Sequence, residues 1–285
     1  MQPDKKYLLV GNVTRDLLPD NTFITGGTVT YGSVIAVNLG WKPTIVTSAS
    51  SDFSPPSYLA GADWRIFPSP ETLTFRNEYD SEGNRLQTIG PVGRSITAEA
   101  IPEDCRQISL VHFCPLAQEL APNITALFAD SMLAATPQGW MRKWDEQGIV
   151  SLGDWVTADK ILPSLDTAVI SLEDVEGDWS IAENWATKLP LLIVTLGEKG
   201  AAILHRGRRH IVPPRPAHSL DPTGAGDVFA TAFFIIYYET GDLWYSTRFA
   251  NVTASMAIER VGPEGAPTRA EIEAYLDQNP LDVPA

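Results

Sequence analysis

A three-layer α/β/α sandwich around a mainly parallel sheet is the fold this chain predicts, on three observations. Short β-branched or continuously apolar runs alternate with helical segments for most of the length, as expected of strands buried on both faces and helices that cover them. Residues 72–89 break that alternation with a hairpin pattern. Late in the chain, Asp221-Pro222-Thr223-Gly224-Ala225-Gly226-Asp227 runs straight into the apolar stretch Val228–Phe234, a tight glycine-rich turn that opens a helix.

Taken in order, Tyr7–Gly11 reads as the first strand, and Tyr31–Leu39 as a helix ending at Gly40. Thr44–Ser48 is the next strand. Thr72–Tyr79 and Arg85–Ile89 flank the turn Asp80-Ser81-Glu82-Gly83-Asn84, with the short stretch Phe23-Ile24-Thr25 placed to pair beside them. Ile108–Phe113, Met132–Thr136, Thr167–Ser171 and Leu191–Leu196 complete the buried strands. Helices are expected between them at Pro122–Phe128, Ala158–Leu162 and Ser180–Thr187, then at Ala225–Thr240, with Gly241 as its C-cap, and Leu243–Glu259. Pro213-Pro214-Arg215-Pro216 is a stiff connection into the glycine-rich turn, and the tail after Asn279 is expected to fray.

The 285 residues suffice for one large α/β domain, and 44% hydrophobic content for a sizeable core. A net charge of −14 argues against nucleic-acid or anionic-membrane partners, which call for a basic surface. The two cysteines, Cys105 and Cys114, have no metal-ligand spacing and read as reduced thiols. No apolar run reaches spanning length, and Met1–Val10 lacks a signal-peptide core, so a cytoplasmic protein is expected.

Chemistry concentrates at residues 221–227. The first N–H groups of a helix carry the positive end of its dipole and bind anions, and a carboxylate beside such a site can take a proton from an attacking hydroxyl. Read this way, the turn is a phosphoryl-transfer centre; read plainly, it is a glycine-rich helix start capped by Asp. The string resembles the DTxGAGD signature of the PfkB (ribokinase-like) family of sugar and nucleoside kinases, with proline in place of its first threonine. The resemblance implies a ribokinase-like sandwich, a single kinase domain over 1–285, and a small β-sheet lid with elements near 17–26 and 72–92. It also implies that Asp227 is the catalytic base and that the amides of Ala225, Gly226 and Asp227, turned by Gly224, hold the transferring phosphoryl group.

Other segments follow. A carboxylate at the end of a strand can accept two hydrogen bonds from vicinal hydroxyls. Within Gly11-Asn12-Val13-Thr14-Arg15-Asp16 the resemblance assigns Asp16, with Asn12, to the acceptor, although ribokinases carry Asn where Thr14 stands. Gly26 and Gly27 match the family's glycine pair. The segment Gly26–Ser33 lacks the lysine and asparagine of the GGKGAN form and is similar to the GGxxxY form of the inositol-kinase-like branch. Glu119 (or Gln118) and Gln138 are further candidates for acceptor hydroxyls, each following a strand. Thr195, Gly197 and Gly200, in a TLGxxG string, together with Thr223, Gly224 and Gly226, would line the nucleotide, and Asn251 its adenine. Ser171-Leu172-Glu173-Asp174 occupies the place of the family's NxxE, so Asp174 would order a magnesium ion through water; helix capping is the competing reading. His112, on an apolar strand, is expected to be a hydrogen-bonded core residue.

The expectation is therefore an ATP-dependent kinase that uses Mg2+ and phosphorylates a hydroxyl of a small polyol or sugar. A cyclitol such as myo-inositol comes first, and ribose, fructose or adenosine second. A non-catalytic ligand-binding protein on the same fold is the rival. Dependence on a monovalent cation such as K+ is left open, as is the choice between monomer and homodimer.

Overall fold

The computed structural model describes residues 5–20, 22–79 and 85–280. The chain begins with β1 (Lys6–Val10), β2 (Thr14–Leu17), β3 (Phe23–Gly26), α1 (Thr28–Asn38), β4 (Lys42–Ala49) and β5 (Asp63–Pro68). It continues through β6 (Leu73–Tyr79), β7 (Arg85–Ile89), β8 (Leu110–Phe113), β9 (Met132–Ala135), α2 (Gln138–Met141), β10 (Arg142–Trp144) and β11 (Val150–Leu152). The last part comprises α3 (Ala158–Ile161), β12 (Thr167–Ser171), α4 (Trp179–Trp185), β13 (Leu191–Thr195), β14 (Ala201–His205), β15 (Arg208–Val212), α5 (Ala225–Thr240), α6 (Leu243–Ala257) and α7 (Arg269–Gln278).

Nine strands form the central sheet in the order β15-β14-β13-β12-β9-β8-β1-β4-β5. All neighbours from β13 to β5 pair in parallel, and β14 and β15 add an antiparallel margin. Side chains alternate across a strand, so each face receives its own core. Tyr7 and Leu9 of β1 join one apolar cluster with Ile35 of α1, Phe233 of α5, Phe249 of α6 and Ile272 of α7. Leu8 and Val10 join the other with Ile161 of α3 and Trp185 of α4. These are the three layers the alternation predicts. Among the described residues, no helix is long and apolar enough to cross a membrane, and both cysteines are free and buried.

A second sheet, β3-β2-β6-β7, stands apart from the first. β2 pairs antiparallel with β3 and parallel with β6, while β6 and β7 form the predicted hairpin. Its inner face is apolar: Leu73, Phe75 and Ile89 pack on Leu116 and Ala117 of the loop that follows β8. The expected turn at Asp80–Asn84 lies outside the described residues.

Some elements differ from expectation. The helix expected at Pro122–Phe128 is one 3-10 turn, Ile124–Leu127, and α3 passes at once into the 3-10 turn Leu162–Ser164, where Pro163 removes a helix donor. β14 and β15 form a hairpin ahead of the proline-rich connection, two strands that the sequence reading does not include. Their register pairs Ile203 with His210 and His205 with Arg208 around the turn at Arg206-Gly207.

Candidate active site

Parallel pairing carries the ends of β1, β8, β9, β12 and β13 to one edge of the sheet, where open α/β folds place ligands. The segments after those strands hold Asn12, Glu119, Gln138, Asp174 and Gly197 respectively. The first turns of α1 and α5 meet at this edge: Thr28 Oγ1, at the start of α1, donates to Asp227 Oδ1, in the first turn of α5, at 2.8 Å.

Gly224 makes the turn into α5 with φ of 75°, and a Cβ on it would lie 2.4 Å from the Tyr31 ring. The loop therefore needs glycine both for its backbone angle and for the ring that closes against it. Asp221 braces the loop by accepting from Thr223 N and Gly262 N, each at 3.0 Å. Ala225 N–H is engaged by Pro222 O at 3.2 Å. Gly226 and Asp227 follow it in the first helical turn, where amides lack an intrahelical acceptor.

Asp16 comes from the small sheet. Thr14 Oγ1 donates to its Oδ1 at 2.9 Å, and a Cβ on Gly26, the cross-strand partner of Thr14, would lie 2.0 Å from Oδ2. Gly26 thus makes room for the carboxylate. Asp174 takes Ser171 N on Oδ2 at 2.8 Å and Gln138 Nε2 on Oδ1 at 2.9 Å. Its bond to Ser171 N is half of a capping box, so the capping reading holds for this residue.

Arg142 ties these groups together. It is 7% exposed, lies 5.1 Å from the Phe75 ring centroid, and donates to Leu116 O at 3.0 Å and Gln138 Oε1 at 2.7 Å. Its charge acts on all three carboxylates. Burial raises Asp16 and Asp174 above the ordinary carboxylate range, while hydrogen bonds and Arg142 oppose the rise. Burial pushes Asp227 up to about 6; Thr28 and Arg142 oppose this, and the Asp16 and Asp174 carboxylates add to it. Burial and the same neighbourhood, Asp16, Asp221 and Asp227, push the Tyr31 hydroxyl upward too. The structure therefore brings Asp16, Gln138, Asp174 and Asp227 into one electrostatic group.

Other predicted residues face inward. Glu119 is 2% exposed and accepts from Asn12 N at 3.1 Å, Leu116 N at 3.0 Å and Ala117 N at 2.7 Å. It is a brace for the loop under the small sheet rather than a ligand for acceptor hydroxyls. Gln118, at φ of 59°, donates to Arg142 O at 2.5 Å. Asn251 donates to Val212 O at 3.1 Å and Pro213 O at 3.2 Å, tying α6 to the start of the proline-rich connection. Gly197 and Gly200 take φ of 57° and 88° in the turn that joins β13 to β14, and Thr195 Oγ1 reaches Ile170 O at 3.3 Å. Asn12 is fully buried: its Oδ1 accepts from Ser48 N at 3.2 Å, and its Nδ2 has no partner. His112 bonds Tyr7 Oη at 2.9 Å and Thr136 Oγ1 at 3.0 Å, the satisfied core histidine expected.

Thr28 and Arg142 were not singled out from the sequence. The only local signal for Arg142 is its spacing of four from Gln138, which puts both on one side of a helical turn.

A profile of the pfkB family carbohydrate kinases matches residues 173–269, the segment that contains the glycine-rich turn and Asp227. An inositol 3-kinase of Arabidopsis thaliana is 24% identical over 91% of this chain and 76% of its own length. Over residues 173–269 the chain is similar to pfkB family carbohydrate kinases. Ribokinase of Bacillus subtilis is 35% identical, in a match that spans 34% of this chain and only 33% of that protein. Among solved structures, a pyrophosphate-dependent myo-inositol-1 kinase, converted by two substitutions into a myo-inositol-3 kinase, superposes with a TM-score of 0.79. At 21% identity over 96% of this chain and 99% of that one, it shares the fold.

Proposed function

We propose that this protein is a kinase that transfers the terminal phosphoryl group of ATP to a hydroxyl of a small polyol, a cyclitol such as myo-inositol before a sugar or nucleoside. The observation that carries the reading is the meeting of two carboxylates from different elements: Asp227 on the orphan amides that open α5, and Asp16 on the small sheet. Asp16 accepts hydrogen bonds from two vicinal hydroxyls and so orients the ring. Asp227 takes the proton of the hydroxyl that attacks; the new oxygen–phosphorus bond forms as the bond to the leaving diphosphate breaks. A base held at about 6 is ionised at neutral pH yet basic enough to assist. The N–H groups of Gly226 and Asp227 stabilise charge on the phosphoryl oxygens from fixed positions. The small sheet acts as a lid, and residues 1–285 as one kinase domain.

Magnesium fits the charge of the site. Three carboxylates face one guanidinium, an excess of two negative charges that a divalent cation balances. No group of three or more His, Cys, Asp or Glu among the described residues could hold a metal directly, so Asp174 would act through water. The ion supplies neutralisation of the donor phosphates.

Asn251 favours a second reading of the donor. With its amide committed to Val212 and Pro213, the residue carried over to adenine is held by the protein itself. Pyrophosphate, the donor named for the myo-inositol kinase above, needs no adenine contact. The test is turnover of the purified protein with Mg2+ and either ATP or pyrophosphate across myo-inositol, ribose, fructose and adenosine, with products read by phosphorus NMR. Phosphorylated product with one donor supports the reading. No product in any combination, from folded protein, overturns it.

A further inference from the structure

A cavity of about 510 Å³ opens between the β14–β15 hairpin and the start of α6. Its position follows from the topology. β14 runs antiparallel to β13, so its far end and the turn at Arg206-Gly207 lie at the sheet edge opposite Asp227. The part of α5 from Asp227 to Thr240 separates Asp227 from this end, about 20 Å at 1.5 Å per residue.

The walls are apolar and the rim is cationic. Ile203, Leu243 and Trp244 pack in one cluster and supply the walls. Cross-strand pairing of Ile203 with His210 and of His205 with Arg208 sets all four side chains on the face that α6 covers. Arg206, at φ of 50° in the turn, adds a second guanidinium to the lining. Neither Arg206 nor Arg208 is engaged by a carboxylate among the described residues, whereas the adjacent Arg209 pairs with Glu183 at 3.4 Å and stacks on Trp179. Asp242, next to the lining residue Leu243, accepts from Tyr245 N at 2.9 Å as the cap of α6. In a chain with 35 acidic and 21 basic residues, two guanidiniums without carboxylate partners beside an apolar cavity are a local reversal of charge. Trp244 adds a second departure: its indole Nε1–H is shielded from solvent and has no hydrogen-bond partner.

We propose that this cavity binds a small organic anion with a flat apolar body and one terminal oxyanion, carboxylate or phosphate. The body lies against Leu243, Trp244 and Ile203. The oxyanion meets the forked donors of Arg206 and Arg208, which suit either head group. The volume falls within the range of small-molecule sites. The site is independent of phosphoryl transfer.

The indole N–H resonance of Trp244 tests this in the full chain, assigned by its loss in Trp244→Phe. The probes are 1-naphthyl phosphate, 1-naphthoate, the neutral 1-naphthalenemethanol and inorganic phosphate. The expected result is a saturable shift of the Trp244 resonance with one or both aryl anions. Affinity should be at least tenfold weaker for the neutral compound and for inorganic phosphate. Arg208→Ala and Arg206→Ala should each weaken aryl-anion binding severalfold while the other tryptophan resonances stay in place, which shows the variants fold. The two aryl anions, compared with each other, identify the preferred head group. No shift with either anion, equal binding of the neutral compound, equal binding of inorganic phosphate (an adventitious ion only), or undiminished binding in both arginine variants would each overturn the proposal.

Discussion

Asp227 carries two opposed demands. As a base it must be ionised, yet burial and two neighbouring carboxylates work against the charge. Asp227→Asn is expected to lower turnover about 100-fold or more, the scale of a lost positioned base, with donor affinity nearly unchanged. The same substitution should stabilise the fold. A carboxyl raised from 3.8 to about 6 holds its proton more tightly in the folded chain, so stability falls as pH climbs through that window and stays lowered above it. Allowing for partial exposure, relief is about 1 kcal/mol at pH 7.5, or roughly 2–4 °C in Tm. It should fade near pH 4. Thermal unfolding of both proteins at the two pH values decides this, and a variant no more stable than the parent at pH 7.5 contradicts it. The acid limb of kcat/KM should likewise bend near pH 6; a profile flat to pH 5 removes a base with that pKa. Arg142 offers the converse test. Arg142→Met leaves three carboxylates without their guanidinium and should destabilise the protein by about 3 kcal/mol, seen in urea unfolding. A loss under 1 kcal/mol would deny it that role.

Elements explain why sequence reading succeeded in some places and failed in others. The buried strands β1, β4, β8, β9, β12 and β13 were legible because each is a short run of apolar residues, a pattern that parallel sheets impose. β15 was not, because its Arg-Arg-His composition belongs to an exposed sheet margin where burial leaves no mark. At the candidate site, Asp227 could be singled out because it ends a glycine-rich turn, and Asp16 because it lies in the segment that follows the first strand. Glu119 could not be told from a ligand-facing carboxylate: a residue that ties three loop amides and one that grips a hydroxyl look alike in one dimension. Arg142 arrives by convergence of α2 with β6, which no local pattern encodes. The small sheet also changes an expectation about motion. Its hairpin holds Phe75 and Ile89 against Leu116 and Ala117 without a ligand, so β6 and β7 have an anchor of their own. Hydrogen exchange with saturating acceptor should therefore slow chiefly in β2 and β3, which carry Asp16 and Gly26, and little in β6 and β7. Equal slowing across all four strands would mean that the whole sheet closes; none at all would deny it a lid's role.

For the molecule as a whole, the proposed acceptor site draws its parts from the small sheet, the helix layer and the segment after β9. Asp16 extends from the small sheet and Asp227 from the helix layer, with Gln138 and Arg142 from the segment after β9 closing the group between them. The pairing rewards a ring that offers adjacent hydroxyls to one carboxylate and a third hydroxyl to the other, as a cyclitol does. The Gly26–Ser33 segment places Thr28 on Asp227 and the Tyr31 ring against Gly224, and it holds neither lysine nor asparagine. Sites built to hydrogen-bond hydroxyls reject partners that leave buried groups unpaired, often by several orders of magnitude. Asp16→Ala is accordingly expected to raise the acceptor KM by at least 100-fold while moving the donor KM less than threefold. In the parent protein, kcat/KM for myo-inositol should exceed that for ribose, fructose and adenosine. Steady-state rates with the four compounds decide it. A preference for ribose, fructose or adenosine would overturn the cyclitol assignment and leave the kinase reading in place, because the roles proposed for Asp227 and the amides of α5 hold for any hydroxyl brought to them.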